Sequence, residues 1–126
     1  MAKAMIFDGL NLKETTYNSK DSYEFIKNNV GGYIERVPLR DLAERNIDLW
    51  INEEGKLIGL DTTALLTSGD KVYDELVGNL VFTKSNGDGD TISLTDDDIK
   101  YIKKKFDTDG YYVDLKFGRV IQVLAY

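Results

Sequence analysis

The chain has 126 residues, of which 42% are hydrophobic and 30% charged, a length and balance that suit one globular domain with a core needing no metal or disulfide staple. It contains no cysteine and no histidine, which excludes thiolate and Ser-His nucleophiles, Cys/His zinc centres and imidazole acid-base chemistry. With 16 basic against 22 acidic side chains the formal net charge is -6 and the isoelectric point about 4.6, so the surface as a whole repels phosphate backbones and direct nucleic-acid binding is disfavoured.

The opening apolar run reaches Asp8, which makes it too short for a signal peptide, and nowhere do 18 apolar residues follow one another; the expected location is the cytoplasm, with no membrane association. Ala2 to Phe7 and Leu10 to Tyr17 are two extended stretches around Asp8-Gly9, the pattern of a hairpin. Asp21, with Glu24 three residues on, opens a helix over Ser22 to Val30 that carries Tyr23, Ile26 and Val30 at helical spacing. Gly31-Gly32 ends it. A phosphate cradle at that glycine pair is disfavoured, because the pair follows the helix and meets the negative end of its dipole.

Tyr33 to Val37 follows as a strand, which Pro38 ends or confines to an edge. Leu39 to Arg45 is either a turn or a short helix. Ile47, Leu49 and Ile51 alternate on one strand face, with Asn52 to Gly55 as a turn and Lys56 to Gly59 as the returning strand. Leu60 to Val77 has no clean period and reads as irregular, with room for one helical turn over Thr62 to Leu66. Gly78 to Thr83 is a strand, and Ser85 to Asp90 a mobile loop by composition.

The last helix is the best specified. Thr95 is its N-cap, Asp98 stands at N3, and Leu94 can staple onto Ile99. Ile99, Ile102 and Phe106 form its buried stripe, while Asp96 to Asp98 and Lys103 to Lys105 complement the two dipole ends. Tyr111 to Phe117, a Gly118-Arg119 turn and Val120 to Leu124 complete the chain as a hairpin. The expected fold is α+β, a mostly antiparallel twisted sheet of hairpins with two short helices packed on it, in a single domain over 1–126.

Asn86-Gly-Asp88-Gly-Asp90, with Asp97 at the twelfth position, echoes a calcium loop. Thr91 stands where that loop turns on glycine, and a strand precedes it, so a hairpin loop is the better reading and no metal is assigned. Carboxylate pairs suited to glycosidase-type chemistry are unavoidable among 22 acidic residues, and nothing selects one. Trp50, opposite Ile47, Leu49 and Ile51, lies either on a second buried face or exposed for recognition, and Tyr112 raises the same question.

Val30 to Glu35, Ile47 to Leu60, Gly78 to Phe82 and Ser93 to Phe106 together resemble, over about Lys3 to Phe106, a family of small proteins encoded by phages and mobile elements of bacteria, domain of unknown function 3846. The chain departs from that pattern at Asp61 to Leu66, and 107–126 reads as a C-terminal hairpin extension of a 3–106 core. The resemblance implies a genomic setting and carries no catalytic residues. It suggests a non-enzymatic phage or prophage protein, without a cofactor, that binds a host protein, itself a nucleic-acid-binding one in the sharpest version, and inhibits it through an acidic surface. An anti-CRISPR or another nuclease inhibitor in the host cytoplasm is the example. Trp50, Asp88, Asp90, Asp96, Asp97 and Asp98 are the candidate contacts. A second reading is a small-ligand binder that sequesters a cyclic or signalling nucleotide, with Arg36, Arg40, Arg45 or Arg119 reaching phosphates and a homo-oligomer interface helping to form the pocket. A third is a structural or accessory domain without independent activity.

Overall fold

A computed structural model describes residues 1–114 and 120–126; the expected Gly118-Arg119 turn, and with it Arg119, lies outside the described residues. The chain opens with the expected hairpin, β1 (Ala2–Phe7) and β2 (Leu12–Tyr17), paired antiparallel. Asp8 closes it: its Oδ1 accepts from the amides of Leu10 at 2.9 Å and Asn11 at 2.8 Å. Those backbone N–H groups, Asn11's first, hold the Asp8 carboxyl below its ordinary range.

Helix α1 covers Ser22–Val30, with Gly31 in the left-handed region at φ 82 accepting the role of helix stop. Its start differs from expectation. Asp21 makes no side-chain cap bond, and a 3₁₀ turn over Ser19–Asp21, capped by Asn18, feeds the chain into the helix instead. Strand β3 (Ile34–Val37) lies at a sheet edge, where Pro38 costs no ladder bond. Residues 40–44 resolve as a short helix, α2 (Arg40–Glu44).

Two expectations are overturned between positions 52 and 77. Strand β4 (Ile47–Asn52) forms, but Lys56 to Gly59 does not return beside it. The segment coils into turns instead, with the Ile58 amide donating to Glu54 and the Leu60 amide to Gly55. Only three residues separate Gly55 from Gly59, too few to compete with the long-range partners β4 finds in β3 and in β7 (Leu80–Ser85). The segment read as irregular is a hairpin, β5 (Thr62–Ser68) and β6 (Lys71–Val77), turning at Gly69-Asp70. Its period is hidden because β5 is covered on both sides, so Thr63, Ala64 and Leu66 are all buried, and because its register with β6 shifts twice.

Strand β8 (Thr91–Ile92) pairs with β7 across the 86–90 loop, and helix α3 (Asp96–Asp107) follows. Strands β9 (Tyr111–Asp114) and β10 (Val120–Ala125) then pair antiparallel. The architecture is α+β and mostly antiparallel, but it holds two sheets where one was expected. The first runs β2-β1-β7-β4-β3 with β8 alongside β7, and the second runs β6-β5-β10-β9, with β10 parallel to β5.

One core joins both sheets to the helices. Met5, Phe7, Leu49 and Phe82 of the first sheet meet Ala64, Leu66 and Leu124 of the second, together with Leu42 of α2 and Ile99, Ile102 and Phe106 of α3. The Phe106 ring lies 4.9 Å from Phe7 and 5.7 Å from Phe82 between centroids, the latter edge to face; such pairs add about 0.5–1.5 kcal/mol each beyond buried area. Helix α1 covers the opposite face of the first sheet, where Ile26 and Val30 pack on Val81 and Trp50. Both faces of that sheet are therefore spoken for. Among the described residues no helix is long and apolar enough to cross a membrane.

Candidate functional site

The two sheets approach each other where edge strand β3 and its neighbour β4 face edge strand β6. Glu35, Glu53, Asp74 and Glu75 converge there on a cleft of about 100 Å³, floored by Ile51, Asn52 and Val77. Asn52 is buried because its amide works for the fold: it donates to the Val30 carbonyl at 3.1 Å and accepts from the Glu54 amide at 2.8 Å. Within the cleft the counter-charge is Lys56, whose ammonium lies 3.2 Å from Asp74. Thr62 donates its hydroxyl to Glu75. Among the described residues no three carboxylates are grouped closely enough to hold a metal ion; the cleft presents four carboxylates against one ammonium. Apolar residues border it in sequence and stay in water: Leu57 is 84% exposed beside Lys56, and Val72 and Tyr73 are 59% and 58% exposed just before Asp74.

A second polar cluster ties α2 to α3. Asp41 Oδ2 accepts from the Tyr101 hydroxyl at 2.7 Å and the Lys105 ammonium at 2.9 Å, and Lys105 also donates to the Ala125 carbonyl at 2.7 Å. Burial pushes the Asp41 carboxyl up, but the Lys105 and Tyr101 bonds outweigh it and the net direction is down. Burial and then the Asp41 bond push the Tyr101 phenol up to about 12. Arg45 lies over the Tyr101 ring at 3.9 Å. Lysine at 105 reads from the sequence as a helix-dipole partner, yet it is buried. Its spacing, three after Ile102 and one before Phe106, already places it at the border of the apolar stripe.

The residues singled out from sequence are dispersed. Trp50 is half-buried against α1, its Nε1 donating to Thr83 Oγ1 at 2.8 Å, so it stands on a second covered face. Tyr112, by contrast, is 48% exposed on the edge strand β9. Asp98 is no surface contact: it is buried, closes the capping box with Thr95 and lies 2.9 Å from Lys84. Burial would raise its carboxyl, but the Thr95 amide and the Lys84 ammonium together bring it below the ordinary range. Asp96 pairs with Lys3 at 3.0 Å.

Asp88 and Asp90 are exposed on the β7–β8 loop, which Asn86 folds by accepting from both of their amides. Asp97 is exposed on α3. Of the arginines, Arg36 lies 3.7 Å from Asp48, Arg40 is exposed at the start of α2, and Arg45 lines a different concavity from Arg36. The described arginines therefore share no pocket. The four cleft carboxylates and the Asp41 cluster escape sequence reasoning because each is assembled from separate elements that only the tertiary fold brings together.

No curated protein and no solved structure matches the chain. One family, described as Domain of unknown function (DUF3846), matches residues 4–107. Helices α1 to α3 and strands β2 to β8 all fall within that span, and the chain belongs to the DUF3846 family.

Proposed function

We propose that this chain is a non-catalytic binding protein that engages a basic protein partner through the acidic cleft between β3, β4 and β6. The observation that carries this reading is the pairing of charge with apolar surface. Glu35, Glu53, Asp74 and Glu75 supply a negative concavity, and exposed Leu57 and Val72 lie close along the chain to its lining residues Lys56 and Asp74. Exposed apolar side chains near charged ones are a feature of protein interfaces, with charge setting encounter and register and the apolar part excluding water. Asp88 and Asp90, exposed and outside any ion pair among the described residues, extend the negative field that steers such a partner. Trp50 and Asp98 are not part of this surface. The phage setting that the family resemblance suggests makes a host defence protein, a nuclease above all, the partner class to test first, in the bacterial cytoplasm.

The test is a panel of purified basic host proteins, defence nucleases included, offered to the chain and to a Glu35→Gln, Glu53→Gln, Asp74→Asn variant. Glu75 is left in place because it accepts from Thr62. The reading expects one partner bound at low salt, with affinity falling as salt rises and at least about tenfold weaker in the variant, a loss of about 1.4 kcal/mol. Equal binding by the variant, with native circular dichroism, would refute the cleft as the contact.

A further inference from the structure

Among the described residues, cations gather away from the cleft, on the outer side of the α2–α3 cluster. Arg45, Lys100 and Lys104 line a concavity of about 270 Å³ together with Tyr101 and Asp97. Lys100 and Lys104 are one helical turn apart and so share a face of α3. Of the concavity's lining residues three are cationic and one anionic, on a chain whose net charge is -6, with Asp96 and Asp109 beside Lys100 and Lys104. Neither Arg45 nor Lys100 is in an ion pair among the described residues, and Lys104 has only a loose one, 3.8 Å from Asp109 with both side chains more than half exposed.

The platform beneath them is rigid. The Tyr101 ring is fixed by its hydroxyl bond to Asp41, Asp41 is fixed by buried Lys105, and Lys105 is fixed in turn by the Ala125 carbonyl. Arg45 rests on that ring at 3.9 Å, and its own carbonyl accepts from Lys84 at 3.3 Å. A guanidinium stacked on an aromatic face has given up rotamer freedom in advance, so less is lost when it forms a bidentate bond to a planar or tetrahedral oxyanion.

The geometry points to a binding site for a small phosphate ester, with Arg45, Lys100 and Lys104 holding the phosphate and Asp97 accepting from a neighbouring hydroxyl. A polynucleotide does not fit this description, because each further phosphate along its backbone meets the surrounding negative field. This site is independent of the acidic cleft, and either can fail alone.

The experiment is titration of the full-length, isotope-labelled chain at low ionic strength with inorganic phosphate and, separately, with adenosine monophosphate, following amide shifts by NMR. The expected result is saturable shifts confined to Arg45 and the Asp97 to Lys104 face. They should weaken at least about tenfold in Arg45→Gln and in Lys100→Gln/Lys104→Gln, and stay unchanged in Arg36→Gln, which lines a different concavity. Equal affinity for the two probes would assign the site to the phosphate group, and tighter binding of the nucleotide would add stacking on the open face of Arg45. Shifts elsewhere, shifts indifferent to Arg45→Gln, or no saturation by about 10 mM, where a millimolar site is mostly filled, would overturn the proposal.

Discussion

Asp98 shows how one side chain can be legible and still be misjudged. Its spacing from Thr95 specified the capping box, and the reciprocal bonds are both present, at 2.8 and 3.1 Å. What the spacing could not show is that Lys84, fourteen residues earlier on β7, reaches over to the same carboxylate, so that the residue is buried and unavailable to a partner. Asp98→Ala is expected to cost about 1–2 kcal/mol at neutral pH, the loss of a cap and its ion pair. The pH dependence has a definite sign. A carboxyl whose folded pKa is depressed contributes stability that is complete above the unfolded value, about 3.9, and is lost as pH falls through the folded value. Urea midpoints of the two proteins should therefore converge as pH drops from about 5 toward 3; a gap that stays constant would mean the charge of Asp98 contributes nothing.

At the level of elements, helices announced themselves and strand partners did not. Caps and stops are written within a turn of the residues they serve, which is why α1 ends at Gly31 and α3 begins at Thr95 as the sequence indicates. A strand needs a neighbour, and the neighbours of β4 lie at 34–37 and 81–84 rather than in the adjacent segment. Two glycines separate local from tertiary demands. At Gly31, φ is 82 and a methyl group would meet nothing within 4 Å, so Gly31→Ala carries only the left-handed backbone penalty, about 1 kcal/mol. At Gly110 a Cβ would stand 2.7 Å from the Val123 carbonyl and 2.8 Å from the Lys105 carbonyl, which are backbone atoms and cannot swing aside. Gly110→Ala should cost more, about 1–3 kcal/mol by overpacking, and thermal melts of the pair give the order; a Gly31 variant that melts lower than the Gly110 variant would contradict this account.

For the molecule as a whole, β10 is the strand that integrates the fold. It lies beyond the span that the family matches, yet it runs between β5 and β9, contributes Leu124 to the shared core and carries the carbonyl that Lys105 reaches. Leu124→Ala is expected to destabilise the protein by about 2–5 kcal/mol, read from chemical denaturation; a cost under about 1 kcal/mol would mean that the second sheet is held without it. Composition, charge and short-range patterning were enough to determine an α+β chain without thiol or imidazole chemistry, the first hairpin, both longer helices and most strands of the first sheet but not their order, because caps, turns and alternation act over a few residues. Only the tertiary structure decided that there are two sheets, that β5 and β10 run parallel, that Trp50 faces α1, and that Glu35, Glu53, Asp74 and Glu75 share a cleft. Those facts depend on which distant segments bury one another's apolar faces, and a side chain's neighbours across a sheet are set by that pairing rather than by its position along the chain.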